Sequence, residues 1–325
     1  MIGKELPRDA ILAIALVLLV FLVSLRFPEF SSLNSLAGVF NDTSILVILA
    51  LGQMAVILTR CIDLSMAANL ALVGMCCAMV NAAYPGLPIP ILVLMAMIMG
   101  ALLGSINGLL VWKLDIPPIV VTLGTLTIFR GIIFLISDGQ WVNAHEMSAA
   151  FKALPRLEVF NVPLLSWIGI AVVGFMYVLL TRTPTGRAFF AVGGNPNAAV
   201  YTGIDVGRTR FNAFVLSGTL SGIAGYLWVS RYAVAYVDIA SGFELDVVAA
   251  CVIGGISIAG GTGSVAGAVL GALFLGVIKN ALPVINISPF WQQAISGTAI
   301  IVAVIFNARS ERREGRIILK KAEQS

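Results

Sequence analysis

The stretch "RCIDLSMAAN", Arg60 to Asn69, sets an arginine, an aspartate and a serine between two apolar runs, "ILVILALGQMAVILT" before it and "LALVGMCCAMV" after it. An ionised carboxylate inside hydrocarbon costs roughly 2.5–3.5 kcal/mol even on the lenient insertion scale, so Asp63 needs a partner or water. Two readings are open. In the first, Asp63 and Ser65 turn back onto free backbone N–H groups and cap a helix starting near Met66, with the carboxylate at the positive end of that helix. In the second, the stretch is the break in a discontinuous helix that lines a polar path, with Asn69 one turn further in.

Both readings require a membrane around the stretch, and the composition supplies it. Of 325 residues, 59% are hydrophobic and 11% charged, against about 25% charged in an ordinary soluble domain. Ten stretches approach the ~20 apolar residues that a bilayer core needs: 10–27, 43–60, 66–84, 89–113, 117–137, 163–181, 211–236, 246–259, 264–285 and 290–307. The eighth is short, which makes it a re-entrant or broken segment, and nine spans the competing count. The fold class expected is an all-α polytopic transmembrane helical bundle. The longest polar connections, 138–162 and 182–210, are too small to bury a core of their own. The first apolar stretch has no small-residue cleavage site after it and runs into "SLRFPEF", as a retained span does.

Charge gives orientation. With the N-terminus in the cytoplasm, Lys4, Arg8, Arg60, Lys113, Arg182, Arg187, Arg208, Arg210 and the six basic residues of the 308–325 tail all fall inside, fourteen of the twenty cations. Both termini are then cytoplasmic, which needs an even number of spans. The net charge of +4 is spread over loops rather than gathered on a soluble face, so no nucleic-acid partner is expected; the surrounding partner is lipid. Four cysteines without CxxC spacing and a single histidine, His145, imply neither a metal site nor a disulfide framework.

Split near residue 160, the chain gives two sets of five spans, 1–160 and 161–310. Their fourth members look alike, "GALLGSINGLL" and "GALFLGVIKNALP", and carry glycine ladders at Gly100/Gly104/Gly108 and Gly263/Gly267/Gly271. Glycine every fourth residue lets a second helix backbone approach closely. Asp63 before "MAAN" and Asp246 before "VVAAC" correspond, as do the proline turns "DIPP" and "NISPF". Five is odd, so the second set runs opposite to the first, an arrangement of inverted repeats whose pathway lies between them.

The connection 182–210 spells a short helix: Asn195 as N-cap, Pro196 at the first helical position, Asn197, Ala198 and Ala199 within, and Gly203 as the stop. About seven residues cannot hold a helix alone in water. It docks either into a cleft of a partner or on the bilayer surface. The stretch "CVIGGISIAGGTGS" has no Lys-Ser/Thr after its glycines, so it is no phosphate loop. Gly254, Gly255, Gly260, Gly261 and Gly263 serve a tight turn or close helix approach instead. Asp238, Glu244 and Asp246 cluster in the outer connection, as a solvated face or as a docking surface for a basic partner. Arg130, inside the fifth span, either snorkels or pairs with an acid. No GxSxG serine and no intramembrane carboxylate pair is present, which excludes serine hydrolysis and disfavours a proton-driven carrier.

"ILTRCIDLSMAANLAL", "PPIVVTLGTLTIFRGI", "TPTGRAFFAVGGNPNAAVYTGIDV" and "FELDVVAACVIGGISIAGGTGSVAGAVLGALFLGVIKNAL", followed by "SPFWQQAISG", together resemble the permease subunit of bacterial ABC importers for monosaccharides, the ribose, xylose, arabinose and rhamnose group. The likeness runs over about residues 10–307. It implies an inner-membrane subunit paired with a second copy or a sister permease, a cytoplasmic ABC ATPase that uses ATP and Mg, and a periplasmic sugar-binding protein; this chain itself would bind no cofactor. The resemblance puts the family's aspartate-serine motif on Asp63 and Ser65 and its ATPase-coupling loop on Gly193, Gly194 and onward to Gly203. Two departures stand out: Arg60 and Cys61 replace the family's Gly-Gly, making a less permissive turn, and Asn197 replaces a glutamate, removing an ionic contact with the partner. Asp63, Ser65 and Asn69 with the 254–263 glycine turn are the expected path or gate. A stand-alone secondary carrier or channel for a small polar solute is the alternative, and a membrane-embedded enzyme is disfavoured because no pair of spans carries a catalytic constellation.

Overall fold

The computed structural model describes residues 8–284 together with Trp291, Ala294, Gly297, Thr298 and Ile301, which are helical. Most of the expected tenth span (290–307), the "NISPF" turn and the basic tail 308–325 lie outside the described residues. In hydrocarbon every backbone group must be satisfied within the chain, so long apolar runs become helices. Eight helices among the described residues are long and apolar enough to cross a membrane: α1 (Arg8–Arg26), α2 (Leu33–Leu58), α3 (Met66–Ala83), α4 (Ile89–Lys113), α5 (Pro118–Ser137), α7 (Leu164–Arg182), α10 (Val206–Tyr232) and α12 (Val265–Val284). Shorter helices join them: α6 (Ala149–Ala153), α8 (Pro184–Gly194), α9 (Pro196–Tyr201) and α11 (Phe243–Ile253).

Three expected boundaries shift, two of them through a side-chain cap. The second span starts at Leu33 rather than 43, because Ser32 Oγ accepts from Ser35 N–H at 3.2 Å and opens the helix early. The seventh starts at Val206 rather than 211, since Asp205 Oδ1 accepts from Arg208 N–H at 2.8 Å. The eighth, expected over 246–259, is α11, whose 11 residues reach about 16 Å, half of a ~30 Å bilayer core. Non-helical backbone continues from Gly254 to Ser264 before α12 begins. The Asp63/Asp246 correspondence also fails in detail: Asp63 lies in irregular backbone before α3, whereas Asp246 is already in the first turn of α11.

The core forms around α2 and α10. Every residue of α2 from Thr43 to Leu58 is buried. Helix α4 lies against α10 and α12 against α2; α3 also packs on α10, and α11 on α2. The first ladder does what its spacing predicts. A methyl group at Gly100 would overlap the Gly218 carbonyl oxygen and one at Gly104 the Phe214 carbonyl oxygen, so α4 and α10 touch backbone to backbone. On the opposite face of α4, Leu94, Ile98, Leu102, Ile106 and Leu109 are exposed, as lipid-facing positions are. The second ladder keeps two of its rungs: Gly267 and Gly271 meet Gly254 and Ala250 at the end of α11, while Gly263 precedes the helix. Helix α1 is peripheral, touching the bundle through Leu16, Leu19, Val20 and Val23 beside Val277 and Ala281 of α12.

Candidate functional site

Helix α2 ends in a Schellman motif: Cys61 N–H reaches Val56 C=O at 3.2 Å and Arg60 N–H reaches Ile57 C=O at 2.9 Å. The left-handed position of this motif, usually glycine, is held by Arg60 at φ +64°, at a cost of roughly 1–2 kcal/mol for a residue with a Cβ. The chain then runs in irregular form to Met66 at the start of α3.

Asp63 sits in the middle of that run, 1% exposed. Its Oδ1 accepts from Ser65 N–H at 2.9 Å and Ser65 Oγ at 2.7 Å, and its Oδ2 from Ser217 Oγ of α10 at 3.3 Å. Gln53, oriented to satisfy its neighbours, clamps the Asp63 backbone by donating to its carbonyl and accepting from its N–H, both at 3.2 Å. The expected helix cap is therefore replaced by an Asx turn. Ser65 holds the N-cap position of α3 without a capping hydrogen bond, because its hydroxyl is spent on Asp63 and accepts from Asn107 Nδ2 at 2.7 Å. Asn69 is the next turn of α3 and donates to Gly100 C=O at 3.3 Å. Asn69 and Asn107 each keep an Oδ1 without a hydrogen-bond partner among the described residues. Asp63, Ser65 and Asn69 thus form one polar knot between α2, α3, α4 and α10, and being 1–2% exposed, none faces a solute in this conformation.

The polar connection after α7 folds as its caps predict. Thr183 Oγ1 accepts from Gly186 N–H at 3.2 Å and starts α8. Asn195 Oδ1 accepts from Ala198 N–H at 3.1 Å, Pro196 and Asn197 open α9, and Gly203 follows its end at φ +83°. Ala199 is the buried anchor; Ala198 is exposed, as are Val200 at 58% and Tyr201 at 91%. The helix presents apolar side chains outward.

Helix α8 ends at Gly193 and Gly194, where the sequence-level motifs converge. Gly261 N–H donates to Leu58 C=O at 3.0 Å. A methyl at Gly193 would overlap that same carbonyl oxygen, and one at Gly261 would press on Gly194. The 254–263 turn, the end of α2 and the end of α8 thus lie in direct backbone contact. Gly254 closes on Gly267 of α12, Gly255 and Gly260 adopt the positive φ the turn needs, and Gly263 leads into Ser264. Ser264 Oγ accepts from Gly267 N–H at 2.8 Å and donates to Asp9 Oδ2 at 2.9 Å, tying in the start of α1.

At the opposite end, the acidic trio separates. Asp238 is exposed and Glu244 half-buried, but Asp246 is paired with Lys279 Nζ at 2.5 Å and has little left to offer a partner. A cleft of about 570 Å³ opens there between α2, α10, α11 and α12, lined by the Asp42–Arg231 ion pair, Trp228, Tyr232, Phe243 and Lys279. Arg130 makes no ion pair among the described residues; its Nη1 donates to the Val237 and Ile239 carbonyl oxygens at 2.6 and 2.8 Å, anchoring the connection before α11. Sequence reasoning missed Gln53, Asn107 and Ser217. The available signal was an amide or hydroxyl inside an apolar run, as in "LGQMA" and "GSING", which is costly unless paired.

A family model described as branched-chain amino acid transport system / permease component matches residues 35–304. Autoinducer 2 import system permease protein LsrC of Escherichia coli O9:H4 (strain HS) is 36% identical over 306 residues, 93% of this chain and 87% of the relative. The protein of that name from Enterobacter sp. (strain 638) is 39% identical over 310 residues, 94% and 88% of the two chains, and that from Photorhabdus laumondii 33% over 303 residues, 93% and 90%. No solved structure matches. Matched over this length, the chain, a polytopic helical bundle with a capped short helix after α7, belongs to the branched-chain amino acid transport system / permease component family.

Proposed function

We propose that the chain is the membrane permease of an ATP-driven importer, moving a small polyhydroxylated solute by alternating access with both termini in the cytoplasm. The observation that carries this reading is α9: six residues, capped at both ends, with Tyr201 and Val200 turned outward. A helix so short is ordered only by its caps and its contacts, and an exposed apolar tip on it suits a groove in a partner protein. That partner is a cytoplasmic ABC ATPase, which holds the ATP and Mg; the 182–210 segment, Gly193 to Gly203 included, is the coupling loop. A second permease, identical or sister, completes the pathway, and a periplasmic binding protein delivers the solute to the end carrying Asp238 and Glu244. The pairings of α4 with α10 and of α12 with α2 support two inverted halves. Asp63, Ser65, Asn69 and the 254–263 glycines act as a gate that is shut here.

The solute is a ribose- or rhamnose-like monosaccharide, with the autoinducer 2 named for the relatives as the competing candidate. Aromatic faces beside paired charges in the outer cleft suit hydroxyl-rich rings. The test is uptake of labelled ribose, rhamnose and autoinducer 2 into liposomes holding the permease with its co-purified ATPase and binding protein. ATP-dependent uptake of one of the three is expected, and deletion of 195–203 should abolish it while the protein still inserts. Uptake by this chain alone, without nucleotide, would refute the proposal in favour of a stand-alone carrier.

A further inference from the structure

Arg60 occupies a left-handed position that glycine fills more easily, and its side chain does something glycine cannot. Its Nε donates to Gly193 C=O at 2.7 Å and its Nη2 to Gly194 C=O at 2.9 Å. These are the last carbonyls of α8, immediately before the Asn195 cap of α9. A cation at a helix C-terminus complements both its dipole and its unpaired carbonyl oxygens. Three residues further along the chain is Asp63, clamped by Gln53, Ser65 and Ser217. Gly260 packs so closely on Arg60 that an added methyl would press on Arg60 Cγ, so the guanidinium stem is confined from its other side.

We infer that Arg60 is a positioning residue that ties the root of the α9 helix to the buried Asp63 knot, so that movement of α9 is passed to the 59–65 segment through two side-chain hydrogen bonds. The inference rests on the reading of α9 as the ATPase-docking element. The backbone contacts of Gly193 and Gly194 with Leu58 and Gly261 hold the segments together by close packing, and packing alone can slide. Two directed hydrogen bonds to adjacent carbonyls cannot rotate without breaking.

Arg60→Gly separates this role from a structural one. Glycine relieves the left-handed strain, so the variant should melt no lower than the wild type; a structural residue would show the reverse. The assembled complex with its ATPase is then followed by hydrogen–deuterium exchange, with and without a non-hydrolysable ATP analogue. In the wild type, nucleotide should alter exchange at both 195–204 and 59–66. In Arg60→Gly the response at 195–204 should persist while that at 59–66 falls at least threefold, and Arg60→Lys, which keeps charge but loses the planar fork, should lie between. An undiminished response at 59–66 in Arg60→Gly overturns the tether and leaves the docking role intact. If nucleotide alters neither segment in the wild type, the docking reading itself fails and the tether with it.

Discussion

Replacing Asn195 with alanine removes the side-chain cap of α9 and nothing else that packs. Asn195 is exposed, and among the described residues its side chain makes one hydrogen bond, accepting from Ala198 N–H at 3.1 Å. Loss of an N-cap costs about 1 kcal/mol, within 0.5–2. Helix α9 has six residues, too few to stay folded on intrinsic propensity, so the loss falls entirely on the equilibrium between the ordered and frayed turn. About 1 kcal/mol is a roughly fivefold rise in the frayed population. Amide exchange reads this directly: Thr202, Gly203 and Ile204 N–H groups bond back to Ala198, Val200 and Ala199 carbonyls, and all three should exchange about fivefold faster in Asn195→Ala. Asn195→Asp should hold the wild-type rate, and Asn195→Gly should lose only a few tenths of a kcal/mol. Gly203→Ala, which puts a Cβ on a residue at φ +83°, strains the other end by about 1 kcal/mol; the double variant should therefore exchange roughly thirtyfold faster. The melting temperature of the whole protein should not move, because Ala199 is the sole residue of α9 buried against the bundle. A docking partner that requires the ordered turn should bind at most about fivefold more weakly to Asn195→Ala. Unchanged exchange at 202–204, or a loss of exchange protection spread over α10, would refute this account of how α9 is held.

Gly104→Ala drives a methyl into the Phe214 carbonyl and should destabilise the detergent-solubilised protein by about 1–3 kcal/mol, whereas Gly124→Ala, where no atom beyond its own helix turn lies within 4 Å, should be neutral or raise stability by up to about 1 kcal/mol in the same melting assay. Asp63→Ala leaves the Ser65 and Ser217 donors buried without an acceptor and should cost about 1–3 kcal/mol per orphaned group; Asp63→Asn, which keeps one acceptor oxygen, should cost less, and equal losses would count against the hydrogen-bond pattern described for Asp63. Lys279→Ala and Asp246→Ala should each destabilise, and their double variant by less than the sum, with a coupling of up to about 1 kcal/mol for this partly exposed pair; strict additivity in a thermal double-mutant cycle would mean the pair contributes nothing.

Helix existence was legible wherever an apolar run exceeded the bilayer, and cap chemistry placed α9 almost to the residue, because Asn, Pro and Gly act locally. Boundaries failed where a polar cap lay beyond the apolar run: Ser32 and Asp205 extend α2 and α10 into stretches that hydropathy assigns to loops. The half-length α11 was flagged only by its brevity. Arg130 was ambiguous because its partners are the backbone carbonyls of Val237 and Ile239, and a carbonyl leaves no trace in a residue type. Arg60 was read as a less permissive turn and nothing more, since its acceptors, Gly193 and Gly194, lie more than a hundred residues away.

By itself, the sequence determined that this chain suits a bilayer, that its long apolar runs among the described residues are helical, that Asp63 must be sheltered, and where the caps of the 195–203 turn lie. These follow from solvation and from bonds spanning a few residues. Tertiary structure alone decided that Gln53, Asn107 and Ser217 shelter Asp63, that the end of α2 meets the end of α8 and the 254–263 turn, and that glycines on α4 read the backbone of α10. Those outcomes depend on which helix faces mate. In lipid, apolar faces are nearly equivalent in hydration, so mating is chosen by close packing and polar pairing across distant segments, and no local pattern encodes the partner.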